Sequence, residues 1–426
     1  MATLILGGGI TGLLAAWQLQ KRGESVEVWE AAPEPGGWVR TLPWNDEQGQ
    51  AGYVERGPQG VLVAPGSVIE KIFKELEVET RSPGHGARWV GKGGRLIPVP
   101  SSPPALMFSK LLSLRAKLRL ALEPFIKVRD TEPEENLSAF VARRLGREMA
   151  SELLPAMVAG ILAAPPEGLS VDALPKLKTW EATGSLTKGM SGARSALTVP
   201  VGGMGAFTKA LADRVPGLRC GLRATAIEQT ADGFRVTSDQ GERRDVARLL
   251  LALPAYEAAS LLGPLAPASA TALAAIPYTS VRLFHSRHAP LEGMKDGFGF
   301  LVHPPEGRGF LGALVPSWID PSCAPPATMQ LRSFIGGAFP TDPALHQWPG
   351  VEAVLKGWLP ALEAPRQVRE EFAENAIPRA EMGHRARVAA ALAGLPKGLD
   401  WISNARFGPG VRDVAEGLEP WLEHFQ

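Results

Sequence analysis

The first thirty residues constrain the fold more than any other part of the chain. A strand-like run at residues 4–6 leads into the segment 7–12, which reads Gly-x-Gly-x-x-Gly; a helix-like run and a second strand-like run ending at Glu30 follow. In such a segment the first glycine permits a tight turn, the second lets the backbone approach a pyrophosphate, and the third lets helix pack on strand. The helix N-terminus attracts phosphates, and the final carboxylate can hold ribose hydroxyls. The sequence therefore predicts a dinucleotide-binding unit with contacts at Gly7, Gly8, Gly9, Ile10, Thr11, Gly12 and Glu30.

Composition narrows the class of protein. The 426 residues predict two or three domains, and 45% hydrophobic with 21% charged residues is typical of a globular chain. The formal net charge is only +1, from forty-five Lys and Arg and forty-four Asp and Glu. The overall charge therefore does not favour a nucleic-acid partner. Two cysteines exclude a disulfide scaffold, and seven scattered histidines predict no metal site. We find no targeting segment and no transmembrane run, so the expected location is cytoplasmic.

Two loops after Glu30 identify the cofactor by resemblance. Residues 33–41 contain a second glycine pair followed by an arginine, and residues 55–60 read Glu-Arg-Gly-Pro-Gln-Gly. In this order the segments resemble the flavin-contacting loops of the amine oxidase superfamily, although that family more often has an arginine where this chain has Glu34. The resemblance implies FAD, held without a covalent link because neither cysteine lies in a flavin motif. The implied contacts are Gly37, Trp38, Arg40, Gly57, Pro58, Gln59 and Gly60.

A basic, acid-free block occupies residues 80–122. Eight Lys and Arg occur there without one Asp or Glu, which favours an anionic partner over a solvated basic surface. A helix-like run beginning at Ala105 carries an apolar stripe at spacings of three and four, flanked by cations on both sides. The stripe predicts either a core-facing helix or contact with a membrane surface. Its members are Met107, Leu111, Leu114, Leu118, Leu122 and Phe125.

The order of five segments resembles the porphyrinogen-oxidising branch of the same superfamily. The segments are residues 95–103, 117–125, 140–146, 160–164 and 184–186. The resemblance covers nearly the whole chain and implies an α/β (α+β) fold in three parts. These are a discontinuous Rossmann-type FAD-binding domain (1–85, 200–280 and 385–426), a mixed-sheet substrate domain (86–100 and 281–384) and an inserted helical domain (101–199).

The second half of the chain returns to the flavin domain. Residues 202–207 lead into a predicted helix over 208–214, a strand over 222–229 and a hairpin turn at residues 232–233. The matching family segment contacts the adenine through the backbone at Ala224. Residues 401–413 resemble the superfamily's C-terminal flavin motif, which implies that four residues lie near the isoalloxazine, namely Asn404, Pro409, Gly410 and Val411.

The resemblance also implies a reaction. An FAD oxidase of this branch removes six electrons from a porphyrinogen, with molecular oxygen as acceptor and hydrogen peroxide as product. We expect protoporphyrinogen as substrate; the alternatives are coproporphyrinogen, another amine oxidase or desaturase reaction, or an FAD protein without turnover. The matching positions imply propionate binding by Arg88, and an apolar slot formed by Gly160, Phe298, Leu301 and Phe334.

The sequence does not identify the catalytic base, the oligomeric state or the surroundings of the apolar stripe. No catalytic base can be named from the sequence, because no histidine or carboxylate stands in a motif that implies proton transfer. The oligomeric state is not readable. Peripheral contact with the inner face of a membrane remains one of the two interpretations of the apolar stripe.

Overall fold

The structure is a computed structural model that describes residues 3–84, 86–100, 109, 111–129, 133–192 and 195–424. The predicted helix start at Ala105 and the stripe residue Met107 lie outside the described residues. Helices and strands are numbered in chain order.

A five-stranded parallel sheet forms within the described residues. Its central strand, β1, leads directly into the glycine-rich segment, so that this segment lies at the carboxyl edge of the sheet, where α/β proteins bind ligands. Helices and a small sheet cover its two faces, which explains the continuous apolar runs at residues 4–6 and 249–251. From edge to edge the strands are β10 (Leu218–Cys220), β2 (Val26–Glu30), β1 (Thr3–Leu6), β14 (Arg248–Leu251) and β20 (Leu399–Trp401).

Each face of the parallel sheet has its own apolar core. On one face pack α1 (Ile10–Lys21), α2 (Val68–Glu75), α8 (Met204–Asp213) and α16 (Val411–His424). On the other pack α9 (Ala255–Leu262), α10 (Pro267–Ala274), α14 (His384–Ala393), α15 (Asn404–Phe407) and an antiparallel sheet of β11 (Ala224–Thr230), β12 (Gly233–Ser238) and β13 (Arg243–Val246).

The helix predicted over residues 208–214 begins four residues earlier than expected. It starts at Met204, because the buried carboxylate of Glu55 accepts a hydrogen bond from the Met204 amide at 2.8 Å and so caps the first turn. A side chain 149 residues away in sequence supplies this cap, and no local pattern could have revealed it.

A seven-stranded mixed sheet forms the second layer of the described part of the chain. Only β16 and β7 pair in parallel; the other neighbours are antiparallel. One face buries an apolar core beneath α12 (Pro316–Ile319) and α13 (Trp348–Trp358), and α11 (Pro304–Gly307) follows β16 in the chain. The predicted mixed α/β fold is confirmed. The strand order is β19 (Gln367–Pro378), β15 (Tyr278–His288), β18 (Met329–Gly336), β17 (Phe310–Leu314), β16 (Gly297–Val302), β7 (Ala87–Lys92) and β8 (Arg95–Pro98).

Five short α-helices lie in the described residues between β8 and β9 (Ala196–Pro200). They are α3 (Leu114–Ala121), α4 (Leu137–Leu145), α5 (Leu154–Leu162), α6 (Lys176–Ala182) and α7 (Leu186–Gly192). Two small sheets join the layers: β3 (Thr41–Pro43) pairs with β4 (Tyr53–Glu55), and β9 (Ala196–Pro200) lies between β5 (Val61–Val63) and β6 (Thr80–Arg81). The predicted domain boundaries remain a prediction.

A buried ion pair ties the helical segment together. Arg144 on α4 pairs with Glu123, and both side chains are fully buried. Glu123 also accepts hydrogen bonds from the Ser185 hydroxyl at 2.6 Å and the Leu186 amide at 2.9 Å. Although burial opposes it, these bonds hold the pKa of the Glu123 carboxyl below its ordinary value. Three of the segments that carried the family resemblance therefore meet in one structural network.

Four of the six stripe residues do not face a core, whereas Leu111 packs against the core of the helical segment. Leu118 is 58% exposed and Phe125 is 84% exposed, and Leu114 and Leu122 are also exposed. Helix α3 buries its opposite side instead, through Ala116 and Leu120. For these four stripe residues the core-facing interpretation is wrong, because a periodic pattern shows that a face is apolar but not what covers it. No described helix is long and apolar enough to span a membrane.

Candidate functional site

The glycine-rich segment forms a tight turn that leaves one position open. A Cβ on Gly7 would overlap the carbonyl oxygen of Ala252, and a Cβ on Gly12 would overlap the carbonyl oxygen of Gly7. A Cβ on Gly9, in contrast, would meet no atom within 4 Å. The fold itself therefore requires glycine at the first and third positions, whereas the second faces space that a ligand can fill.

The N-terminus of α1 is left without a cap. Gly9 offers no side chain to the first-turn amides, and the first turn, which begins with Ile10 and the buried Thr11, contains no acidic residue. Uncapped amides and the positive end of the helix dipole attract an anion. This terminus is suited to the pyrophosphate of a dinucleotide.

Glu30 is held rigidly beside the glycine turn. Its Oε2 accepts a hydrogen bond from the Gly8 amide at 2.6 Å, and its Oε1 accepts one from the Ala32 amide at 2.7 Å. The Leu222 amide donates to the Glu30 carbonyl oxygen, which brings the start of β11, with Ala224, to the same edge. Each carboxylate oxygen keeps acceptor capacity for a ribose hydroxyl.

The second glycine pair lies against the first motif. The Gly36 amide donates to the Gly8 carbonyl oxygen at 2.8 Å, and a Cβ on Gly37 would come within 3.4 Å of the Gly9 Cα. Arg40, two residues beyond Trp38, pairs with Glu34, the acidic residue that stands where the family more often has arginine. The unusual carboxylate thus has a cationic partner in the same loop.

The loop over residues 55–60 packs on the glycine-pair loop. A Cβ on Gly57 would overlap the carbonyl oxygen of Trp38, and the Arg56 guanidinium lies 4.5 Å from the centre of the Trp38 ring. Pro58 is half-buried, and Gly60 lies close to the backbone of β9. Gln59 is buried, and its Oε1 has no hydrogen-bond partner in the described part of the chain. An unpartnered buried acceptor fits a site completed by a ligand with an N–H group.

Glu55, the first residue of this loop, has a structural role that the sequence analysis did not assign. It is buried, caps α8 and accepts a hydrogen bond from the Thr41 hydroxyl at 3.0 Å. Burial raises the pKa of the Glu55 carboxyl to about 7, against the opposing effect of these hydrogen bonds.

The C-terminal motif joins the same core as the N-terminal motifs. Val411, the first residue of α16, shares an apolar cluster with Leu13 of α1, Val39 of the glycine-pair loop and Val61 of β5. The four predicted flavin segments therefore converge in three dimensions. Asn404 begins α15 and Pro409 follows it.

Asp413 orders the entry to the last helix. Its Oδ2 accepts a hydrogen bond from the Gly410 amide at 3.1 Å, and burial raises the pKa of this carboxyl. With the Gly410 amide bound in this way, the turn into α16 is preorganised.

Four of the five predicted substrate residues form two direct contacts. Arg88 on β7 is exposed, and its guanidinium lies 4.9 Å from the centre of the Phe298 ring. Gly160 on α5 packs so closely on Leu301 of β16 that a Cβ there would clash with it. The structure thus places a cation, an aromatic ring and an apolar side chain along β7, β16 and α5.

Phe334 lies on the same face of the mixed sheet. Leu301 pairs with Gly312, and Gly312 pairs with Phe334, so that the three residues form one row across β16, β17 and β18. Phe334 packs against an apolar cluster that includes Ala159 of α5. Helix α5 therefore covers this row.

Two exposed apolar residues on α5 went unassigned in the sequence analysis. Met157 and Ile161 are about half exposed and lie on the same side of the helix as Gly160. Their spacing of three and four residues places them on one helix face.

A separate cavity of about 820 Å³ opens near Pro155, His303 and Phe339, and none of the predicted substrate residues lines it.

Carboxylates from outside the basic block pair with two of its cations, which the sequence did not predict. Arg81 pairs with the buried Asp320 at 3.0 Å, and Lys92 pairs with Glu152. Arg119 donates instead to the carbonyl oxygens of residues 143 and 144. The carboxylates come from distant parts of the chain, which is why a local count missed them. Arg88 makes no ion pair with any described residue.

The parallel sheet, its glycine-rich turn and the carboxylate of Glu30 are typical of a dinucleotide-binding fold. The family model for flavin containing amine oxidoreductase matches residues 10–337. Protoporphyrinogen oxidase of Homo sapiens is 26% identical over 429 residues, which cover 89% of this chain and 88% of that protein. The chloroplastic protoporphyrinogen oxidase of Oryza sativa subsp. japonica is 27% identical over 444 residues, which cover 93% and 82%.

Solved structures show the same fold at lower identity. A protein from Exiguobacterium sp. 255-15, provisionally named a protoporphyrinogen oxidase, superposes with a TM-score of 0.80 at 20% identity and covers 99% of this chain and 98% of its own. Cyclohexylamine oxidase from Brevibacterium oxydans IH-35A gives a TM-score of 0.69 at 18% identity, with 99% of each chain covered.

The chain belongs to the flavin containing amine oxidoreductase family. It is a flavin-dependent oxidoreductase, and its resemblance to the porphyrinogen-oxidising branch is confirmed by the named relatives.

Proposed function

We propose that this protein binds FAD without a covalent link and oxidises protoporphyrinogen IX to protoporphyrin IX. The observation that carries the proposal is that the Arg88–Phe298 pair and the Gly160–Leu301 contact both involve β16, because this places a cation without an ion pair among the described residues near apolar side chains. A porphyrinogen with two propionates is an apolar ring with anionic groups at one side, and this arrangement is complementary to it.

The side chains have distinct tasks in this proposal. Bound FAD would supply the two-electron oxidation steps, and oxygen would accept the electrons, so that three cycles remove six electrons and six protons and yield three molecules of hydrogen peroxide. Arg88 binds a propionate and orients the ring. Leu301, Phe334 and Gly160 exclude water and give the ring a flat apolar wall. No side chain is assigned as the base.

Replacing Arg88 tests the substrate assignment. In Arg88→Leu we expect the KM for protoporphyrinogen to rise roughly tenfold or more with a smaller change in kcat, because a charge-assisted hydrogen bond is lost. Porphyrin fluorescence and peroxide are followed with FAD-loaded protein, using protoporphyrinogen and coproporphyrinogen in parallel.

Arg95→Leu is the matched control. Arg95 is an exposed cation of the same basic block on the neighbouring strand β8, and its removal should leave KM within about twofold. Equal effects of the two substitutions would contradict a specific role for Arg88. Faster turnover of coproporphyrinogen would support that alternative, and no turnover with flavin fully bound would refute the function while leaving the fold assignment intact.

We further propose that the exposed stripe residues on α3 and in the turn after it dock on an anionic membrane surface, with the protein on the cytoplasmic side. Leu118 and Phe125 project from the molecule, and the exposed cations Arg115 and Lys127 lie close to them in sequence. Apolar side chains that enter the lipid interface beside cations that meet its headgroups favour peripheral binding.

Vesicle binding tests this docking. We expect the double variant Leu118→Asp and Phe125→Asp to reduce partitioning onto vesicles containing phosphatidylglycerol by roughly tenfold or more, since two apolar anchors are lost. Val368→Asp is the control, because Val368 is an exposed apolar residue on β19, an edge strand of the mixed sheet. Unchanged partitioning of the double variant would exclude the stripe as the docking surface.

A further inference from the structure

Arg332 on β18 connects the mixed sheet to the flavin loop. Its side chain is buried, and its guanidinium donates hydrogen bonds to the carbonyl oxygens of Gly57 at 2.7 Å and Arg56 at 3.2 Å. The same guanidinium lies 5.1 Å from the centre of the Phe334 ring. One side chain thus contacts both the loop assigned to the flavin and a residue assigned to the substrate wall.

The charge of Arg332 has no direct counter-ion among the described residues. Its contacts are carbonyl oxygens and a ring, and its Nε has no hydrogen-bond partner in the described chain. Burial lowers the pKa of this guanidinium to about 10, and Glu55 and Glu371 act in the opposite direction from a distance. The group is therefore still protonated near neutral pH.

The neighbours in the sheet do not neutralise this charge. Across the strands, Arg332 pairs with His285 of β15 and with Leu314 of β17. Burial holds the pKa of the His285 imidazole well below its ordinary value, so that this side chain is neutral. A buried, unpaired charge is expensive for a fold, and it is retained where a ligand or a reaction uses it.

We propose that Arg332 is a positioning residue for the flavin: it fixes the carbonyl groups of Arg56 and Gly57, and its positive charge makes the bound flavin easier to reduce. The inference rests on the proposed FAD site, because it takes the loop over residues 55–60 as a flavin contact. A flavin gains negative charge on reduction, and a cation in a poorly solvated site lowers the free energy of the reduced form relative to the oxidised form.

Two substitutions separate the charge from the hydrogen bonds. Arg332→Lys keeps the charge but donates to the loop less completely, so FAD should bind more weakly while its reduction equilibrium stays near that of the wild type. Arg332→Gln keeps a donor without the charge, and we expect its equilibrium constant for flavin reduction to fall roughly tenfold. The measurement is a reduction titration of FAD-loaded protein against a dye of known potential, followed by the visible flavin spectrum.

Arg287→Gln provides the matched control. Arg287 is also a buried arginine of the mixed sheet, but its hydrogen bonds go to Gln330, Gln367 and two carbonyl oxygens outside the flavin loop. Its replacement should lower the melting temperature without shifting the reduction equilibrium. A shift equal to that of Arg332→Gln would show a general effect of buried charge and overturn the proposal.

A second variant covers the case in which Arg332→Gln does not fold. Glu371→Gln removes a carboxylate that opposes the charge of Arg332, and it should make the flavin easier to reduce. An unchanged reduction equilibrium in FAD-loaded Arg332→Gln, or in FAD-loaded Glu371→Gln if Arg332→Gln does not fold, would overturn the proposal. If the wild-type protein itself does not bind FAD, the proposed cofactor fails, and this result differs from bound flavin with an unchanged equilibrium.

Discussion

Gly9→Ala is expected to weaken FAD binding by roughly two orders of magnitude while leaving the melting temperature of the cofactor-free protein unchanged. The added methyl group would meet no protein atom within 4 Å, so the fold tolerates it. It would occupy the space in which the backbone approaches the pyrophosphate, and the phosphates could no longer reach the amides of α1. Fluorescence titration gives the dissociation constant of FAD, and thermal unfolding without cofactor gives the stability.

Substitutions at two other glycines serve as comparisons for Gly9→Ala. Gly12→Ala puts a methyl group onto the Gly7 carbonyl oxygen and should destabilise the protein even without cofactor. Gly357→Ala, inside α13 with nothing within 4 Å of the new methyl group, should keep FAD binding intact and raise stability by about 0.5–1 kcal/mol. Normal FAD affinity in Gly9→Ala would mean that the open position is not where the cofactor lies.

Arg144→Met is expected to lower the free energy of unfolding by about 3–5 kcal/mol, because it leaves the carboxylate of Glu123 buried without its counter-ion. Urea-induced unfolding of the full chain measures the change. Since the pKa of Glu123 is lowered in the folded protein, the network contributes fully above the ordinary carboxyl pKa, and its contribution is lost as the pH falls through the folded value.

The control for this variant is an ion pair on the surface. Arg235→Met breaks the exposed pair with Asp245 and should cost no more than about 1 kcal/mol. If Arg144→Met lowered the free energy of unfolding no more than Arg235→Met does, the buried network would not hold the helical segment together.

The geometry of the predicted nucleotide-binding turn could be anticipated because its signals are local. The turn at Gly7, the open position at Gly9, the close packing at Gly12 and the carboxylate of Glu30 all lie within one βαβ unit, where spacing alone determines geometry. The loops at residues 37–40 and 57–60 were named through a family resemblance, and the structure brings them against this unit.

The charged and apolar surfaces were not predictable in the same way. The sequence showed that Arg81 and Lys92 lie in an acid-free block, but their carboxylate partners, Asp320 and Glu152, are remote in the chain. The sequence did not show whether the stripe that includes Leu118 is buried or exposed. A periodic pattern shows that one face of a helix is apolar, but it does not show what packs against that face.

The sequence by itself determined the glycine-rich turn of the βαβ unit, the order of the predicted flavin segments and the family, since these depend on short-range spacing and on the order of motifs. Only the tertiary structure decided that Glu55 caps a helix, that Arg332 binds the loop over residues 55–60, and that four residues of the apolar stripe are exposed. Each of these facts depends on which distant segments meet when the sheets pack. Burial and long-range pairing arise only when these segments pack together. They determine which side chains of the site are charged and how their pKa values shift.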